Sequence, residues 1–235
     1  RLPYEAHVRT EYRDLTSLRF FGLGSGSDVD DRSFYAQEDA NVAVGITVTP
    51  HRLIEFGGET KFLSVDIGAS NVAPSLDERF DPATTPGFDP PEEFLVYAGH
   101  VALPLLDQEF PAVGLVLRVD AERYDGRETN VFDFTRVAGE VQLHVPLGYR
   151  NRRLAFRFRT SHSIADIDNE VPFYLMETLG GSQTIRGFQE FRFRDRRNVL
   201  VNAEYRWEVW NYMDFAFFLD AGKVFSARND FDLKG

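Results

Sequence analysis

The sequence contains no cysteine among its 235 residues. A disulfide framework, a thiolate metal site and a cysteine nucleophile are therefore excluded. Long hydrophobic runs are also missing, since no stretch approaches the roughly 18 apolar residues that a membrane helix needs. The five histidines are scattered along the chain, so a histidine-rich metal site is not expected. We accordingly predict neither a metal nor a cofactor.

Positive charge is in short supply, with 26 Lys and Arg against 37 Asp and Glu and a formal net charge of -11. Because nucleic-acid binding needs basic patches, this balance argues against a nucleic-acid partner. Aromatic residues are abundant, with 22 Phe and 9 Tyr, which is unusual for a soluble α/β enzyme.

Apolar and polar residues alternate with a period of two along most of the chain, which is the pattern of β-strands. In the segment Val199 to Val209, for example, apolar and aromatic residues occupy one face, and Asn202, Glu204, Arg206 and Glu208 occupy the other. The alternation predicts about nine strands, near residues 5–13, 41–49, 52–68, 94–103, 113–124, 131–145, 152–160, 199–209 and 214–225.

Two kinds of connection join these segments. Some are tight turns, whereas three are long and polar: Leu15 to Arg32, Ala69 to Glu92, and Ser161 to Asn198. The second of these carries five prolines, so neither a helix nor an inner strand is expected there. Short turns at one end and long loops at the other are typical of an outer-membrane barrel.

Strand length favours the same fold class. The predicted strands approach the roughly 9 to 11 residues that cross a bilayer, whereas globular strands average about five or six. Strands in lipid must pair all their backbone groups, so we predict an all-β, antiparallel transmembrane β-barrel. Nine strands do not close an even-numbered barrel, so the chain is expected to be an incomplete portion of one. A soluble all-β sandwich also alternates and stays open as an alternative.

A glycine-rich segment, residues 179–188, carries a single arginine, Arg186, within the last long connection. The strand parity that follows it places Glu204 and Asp220 on the inward faces of two strands joined by a short turn, because ionised carboxylates facing lipid are costly. A guanidinium offers several planar donors and suits a bridge between two carboxylates. We therefore predict that Arg186 meets one or both of them and pins the loop inside the barrel.

Several motifs, in order, resemble the BamA/TamA-like surface-antigen barrels, a superfamily of protein-assembly and translocation barrels. The motifs are Leu179-Gly180-Gly181 with Ile185-Arg186-Gly187-Phe188, then Asn202-Ala203-Glu204-Tyr205-Arg206, Phe218-Leu219-Asp220-Ala221-Gly222, and upstream Phe20-Phe21-Gly22-Leu23-Gly24. The resemblance implies a sixteen-stranded barrel in which the chain holds roughly strands five to thirteen. Residues 1–235 would be one truncated barrel domain, with POTRA repeats or another N-terminal domain outside it.

The resemblance also implies a function and a set of site residues. The protein would be a non-enzymatic barrel of the bacterial outer membrane that inserts or translocates proteins. Its partners would be the lipid bilayer, client outer-membrane or secreted proteins, and periplasmic or accessory subunits. The implied residues fall into a loop clamp, a loop motif and a strand motif: Arg186, Glu204 and Asp220; Gly180, Gly181, Ile185, Gly187 and Phe188; Phe218 and Gly222.

The loop residues have expected roles as well. The three glycines are expected to allow close backbone approach, and Phe188 is expected to pack the loop against the inner wall. An ion pair that is structural and has no part in transport is also consistent with the residues.

Two other functional classes stay open, namely the membrane anchor of a surface enzyme such as a patatin-like phospholipase, and a soluble all-β binding domain. No catalytic motif supports an enzyme in this chain. Gly22-Leu23-Gly24-Ser25-Gly26 matches neither a phosphate loop nor a nucleophile elbow. The acidic run Asp28, Asp30 and Asp31 lacks the glycine and glutamate of an EF-hand.

Overall fold

The computed structural model describes residues 3–81, 84–88, 90–106, 114–148, 151–210 and 212–227. Eleven strands occur in these ranges: β1 (Tyr4–Phe20), β2 (Ser33–His51), β3 (Ile54–Ala69), β4 (Glu92–Leu106), β5 (Gly114–Gly126), β6 (Phe134–Pro146), β7 (Arg152–Ala165), β8 (Glu177–Leu179), β9 (Phe193–Asp195), β10 (Arg197–Trp210) and β11 (Met213–Phe225). Nine of them form one antiparallel sheet in the order β1-β2-β3-β4-β5-β6-β7-β10-β11, and β8 pairs with β9 separately. The prediction of an all-β antiparallel fold with about nine long strands is therefore confirmed.

The alternation in the sequence is what gives this sheet two different faces. On β11, the outer face carries Phe217 and Leu219, which are 62% and 72% exposed. The inner face of the same strand carries Asp220, whose side chain is 2% exposed. The outer face of β2 likewise carries exposed apolar residues, namely Val42, Val44 and Ile46. An exposed apolar face of this extent is suited to contact with lipid.

Among the described residues, no helix has the length and hydropathy to cross a membrane.

Strand boundaries differ from the prediction at the ends that carry the long loops. β1 continues to Phe20 and β2 begins at Ser33, so the expected loop from Leu15 to Arg32 is wrong over its first part. The register shifts between Leu15 and Leu18. That irregularity interrupts the alternation, which is why the strand continuation is hidden in the sequence.

The proline-rich connection between β3 and β4 contains one helical turn, α1 (Leu76–Arg79), where no helix was expected. The turn follows Pro74 and is started by Ser75, which forms a capping box with Glu78. Leu76 is buried beside Phe20 and Tyr35. The capping box and the burial of Leu76 therefore stabilise a single helical turn within a proline-rich connection.

The core lies between the inner face of the sheet and the β7–β10 loop, residues 166–196. Buried side chains of β3 to β6 pack against Val171 and Met176 of this loop. The rings of Tyr124 and Phe134 stack there with centroids 4.3 Å apart. The loop thus fills part of the space on the inner face, and the sheet presents its apolar outer face away from it.

Candidate functional site

The β7–β10 loop makes a tight turn over residues 180–188, held by local hydrogen bonds. The backbone N–H of Gly180 donates to Thr184 Oγ1, and the Thr184 hydroxyl donates back to the Gly180 carbonyl, both at 2.8 Å. Gly180 has a φ of +122°, and a Cβ there would overlap the carbonyl oxygen of Gln189. Only glycine satisfies both the backbone angle and the space, so this residue shapes the turn.

An apolar seat holds the turn against the sheet. Leu179 and Ile185 of the loop are buried with Leu200 of β10 and Val224 of β11. Gly222 makes the close approach possible, because a Cβ on it would lie 3.1 Å from Ile185 Cδ1 and 2.9 Å from the Val199 carbonyl oxygen. The seat brings the next residue of the loop, Arg186, to the junction of β10 and β11.

Arg186 forms ion pairs with two carboxylates on the inner face of the sheet. Its Nη2 donates to Asp220 Oδ1 at 2.7 Å, its Nε to Asp220 Oδ2 at 2.8 Å, and its Nη1 to Glu204 Oε2 at 2.7 Å. The backbone N–H of Arg186 also donates to Asp220 Oδ2 at 2.9 Å. The arrangement therefore fixes both the side chain and the main chain of the loop to the sheet.

Neighbouring side chains complete the geometry. The guanidinium carbon of Arg186 lies 3.8 Å from the centroid of the Phe218 ring, a cation–π contact. Arg206 pairs with Glu204 from the other side. We refer to Arg186, Glu204 and Asp220 as the loop clamp. It holds one guanidinium between two carboxylates and an aromatic face, which suits a fixed attachment.

The structure brings the three predicted clamp residues together on the inner face of the sheet. It also places Ile185, Phe218 and Gly222 within the same junction. That this junction acts as a clamp required for function stays a prediction.

Two loop residues differ from the expected arrangement. Gly187 has a φ of +108°, and nothing lies within 4 Å of a Cβ placed on it. The backbone angle therefore explains why glycine occurs here, whereas the expected close approach of another chain segment does not. Phe188 is 50% exposed and its ring contacts Phe193 of β9, with centroids 5.2 Å apart. The expectation that Phe188 packs against the inner wall is therefore corrected, because β9 folds back beside it.

Sequence reasoning did not assign a role to two residues of the junction. Asn202 Nδ2 donates to Asp220 Oδ1 at 2.8 Å and to the Thr184 carbonyl at 2.7 Å. Arg157 of β7 donates to the Gln183 carbonyl at 3.1 Å and to Glu140 at 2.9 Å. The available signal was strand parity, which places Asn202 and Arg157 on the inner face beside the clamp.

No metal-binding group of three or more His, Cys, Asp or Glu side chains occurs in the described ranges. A cavity of about 410 Å³ lies beside the loop clamp and is lined by residues of β6, β7, β10 and the loop tip, including His144, Arg153 and Arg206. Arginine side chains thus lie around the tip of the loop as well as within the clamp.

Long antiparallel strands with an apolar outer face, and a loop packed on the inner face, are the features of a portion of a transmembrane β-barrel. Comparison with known families matches the Omp85 superfamily domain over residues 92–234, which is more than half of the 235 residues. The chain belongs to the Omp85 superfamily. A search of curated protein sequences gave no match.

The fold is similar to that of a solved structure, the crystal structure of BamA from Haemophilus ducreyi lacking POTRA domains 1–3. The TM-score is 0.66 at 13% sequence identity, and the similarity covers 95% of this chain and 46% of that one. The chain therefore spans about half the length of this relative. The similarity supports the prediction that the nine strands are a portion of a larger barrel of this kind.

Proposed function

We propose that this chain is part of the membrane barrel of a bacterial outer-membrane protein that inserts or translocates other proteins. The observation that carries the proposal is the match to the Omp85 superfamily over residues 92–234. The similarity of the nine-stranded sheet to the BamA barrel supports the fold on which this function depends.

Within this function, the loop clamp would keep the β7–β10 loop folded inward. An unattached loop of 31 residues, 166–196, would sample many conformations in the lumen, and fixing it carries a large entropic cost. Three charged side chains and an apolar seat supply the opposing free energy. Arg186 attaches the loop in two ways, because both its side chain and its backbone N–H bind Asp220.

The partners follow from the same proposal. The exposed apolar outer face would contact the lipid bilayer, and client outer-membrane or secreted proteins would use the assembled barrel together with periplasmic or accessory subunits. The carboxylates of the clamp are saturated by donors from Arg186, Asn202 and Arg206. A group held in this way is suited to attachment, and we assign the clamp no catalytic step.

A charge-reversal series in the full-length protein tests the proposal. Arg186→Glu places a third carboxylate beside Glu204 and Asp220, so loss of client insertion into vesicles is expected. Combining it with Glu204→Arg or Asp220→Arg is expected to recover part of the loss. Recovery is incomplete because Asp220→Arg also removes the acceptor of the Arg186 backbone N–H.

The matched control is Arg127→Glu, which changes an exposed arginine outside the β7–β10 loop by the same charge. It is expected to insert clients at the wild-type rate. Additive losses in the double variants, with no coupling between position 186 and its partners, would contradict the clamp. Wild-type protein that supports neither insertion nor translocation of any client would contradict the function itself.

A further inference from the structure

A second arginine of the β7–β10 loop, Arg194 in β9, is buried at the other edge of the sheet. It is 3% exposed. Its guanidinium carbon lies 5.6 Å from the ring centroid of Phe20, 5.7 Å from Tyr35, 5.5 Å from Phe173 and 5.9 Å from Phe191. A cation surrounded by four rings is held by their negative faces, and this attraction is strongest where water is excluded.

Hydrogen bonds connect the same residue to strands that are remote in sequence. Arg194 Nη1 and Nη2 both lie 3.2 Å from the Tyr35 hydroxyl oxygen, which accepts from them, and Nη1 also donates to the Phe173 carbonyl at 3.1 Å. The Arg194 carbonyl accepts the backbone N–H of Gly24 at 2.8 Å. Side chain and main chain of Arg194 are thus both attached to the β1–β2 end of the sheet.

Arg192 strengthens this attachment from the neighbouring position. It donates from Nη1 to Ser27 Oγ at 2.7 Å and from Nη2 to the Ser27 carbonyl at 2.6 Å, and its guanidinium carbon lies 5.1 Å from the Phe21 ring centroid. Both residues therefore bind the β1–β2 end of the sheet, whereas Arg186 binds β10 and β11.

We propose that Arg194 is a positioning residue that forms a second anchor of the β7–β10 loop, separate from the loop clamp. In the sheet order, β1 and β2 lie at one edge and β10 and β11 at the other. A loop fixed at both edges spans the inner face, and the two anchors together determine the position of the loop tip around Arg186. The role of this loop in protein insertion or translocation rests on the proposed function.

Hydrogen exchange of the purified full-length protein tests the anchor without any client. Arg194→Met removes the charge and the donors but keeps an apolar stem within the four rings. It is expected to raise exchange of the Gly24 amide and its neighbours roughly tenfold, while residues 180–188 stay protected by the clamp. Arg186→Met is expected to give the opposite distribution.

The double variant tests whether the loop has two independent anchors or only one. Since either anchor alone keeps the loop docked, combining Arg186→Met with Arg194→Met is expected to raise exchange of the whole loop by about a hundredfold or more. Arg127→Met, at an exposed arginine, is the matched control and is expected to leave exchange unchanged. Heat-modifiable gel migration reports whether each variant is folded.

A milder variant keeps the test decisive if Arg194→Met does not fold. Tyr35→Phe removes only the hydroxyl that accepts from Arg194, and a smaller rise in exchange at Gly24 is expected. Wild-type protection of Gly24 in folded Arg194→Met or Tyr35→Phe protein would overturn the proposal, and so would a double variant that matches Arg186→Met alone. Failure of client insertion with both anchors intact would instead count against the proposed function.

Discussion

Asn202 and Asp220 lie directly opposite each other on β10 and β11, and the Asn202 amide donates to Asp220 Oδ1 at 2.8 Å. The same amide nitrogen donates to the Thr184 carbonyl of the loop at 2.7 Å. One side chain therefore orients the carboxylate that receives Arg186 and also binds the backbone of the arriving loop. Because the sheet already orders this carboxylate, docking of the loop loses less side-chain conformational entropy.

The two carboxylates of the clamp are expected to contribute unequally to stability. Asp220 is 2% exposed and accepts from Arg186 and Asn202, whereas Glu204 is 14% exposed and shares its charge with Arg206. Asp220→Asn should cost about 1.5 to 3 kcal/mol, the range for hydrogen bonds to a charged group, and Glu204→Gln roughly 1 kcal/mol. Urea unfolding of the full-length protein measures both. Equal losses would contradict the geometry.

Gly180 and Gly187 are expected to respond differently to alanine. At Gly180 an added Cβ meets the Gln189 carbonyl and the backbone angle is also unfavourable, so Gly180→Ala should displace the loop tip. At Gly187 only the angle opposes alanine, and Gly187→Ala should cost about 1 kcal/mol. Gly26→Ala, with nothing within 4 Å, is the control. Exchange at residues 180–188 measures the tip, and equal exchange in both variants would refute the distinction.

Much of the clamp is readable from the sequence because it depends on local rules. Strand alternation places Glu204 and Asp220 on the inner face, and the short turn between β10 and β11 makes these strands neighbours. An arginine in the preceding loop is then the natural partner for two carboxylates. Parity also separates the apolar outer face from the polar inner one.

The second anchor is not readable in the same way, because it depends on distant contacts. Arg194 and Tyr35 are 159 residues apart, and no periodicity relates them. Their meeting depends on the path of the whole loop across the sheet. The course of β1 beyond Leu15 is hidden for a related reason, since the register shift breaks the alternation that would reveal it.

The ion pair between Arg123 and Asp166 is expected to make the end of β7 sensitive to acid. Asp166 follows the strand, and Arg123 donates to its two oxygens at 2.8 Å each. The hydrogen bond from Arg123 lowers the pKa of Asp166 below its usual range. The pair should therefore stabilise the protein above about pH 4 and lose this effect as the pH falls through the lowered pKa.

Asp166→Asn provides the measurement for this acid sensitivity. The difference in unfolding midpoint between wild-type protein and the variant should be small, because the pair is exposed, and it should shrink as the pH is lowered from about 7 to about 3. Asp168→Asn, at an exposed carboxylate in the same connection, is the control. A difference that is constant over this range would show that the charge of Asp166 is not involved.

Phe217→Arg distinguishes a membrane barrel from a soluble sheet of the same alternation. Phe217 lies on the outer face of β11 and is 62% exposed. In a bilayer, an arginine there should cost roughly 2 to 4 kcal/mol near the midplane, whereas an exposed site of a soluble protein tolerates it within about 0.5 kcal/mol. The control is Ala98→Arg on the inner face of β4, where this residue lies opposite Glu59 and Glu122. Refolding into lipid vesicles in urea measures both variants. Because an arginine at this position lies between two carboxylates, Ala98→Arg should refold nearly as well as wild type, and equal stability of the two variants would favour a soluble domain.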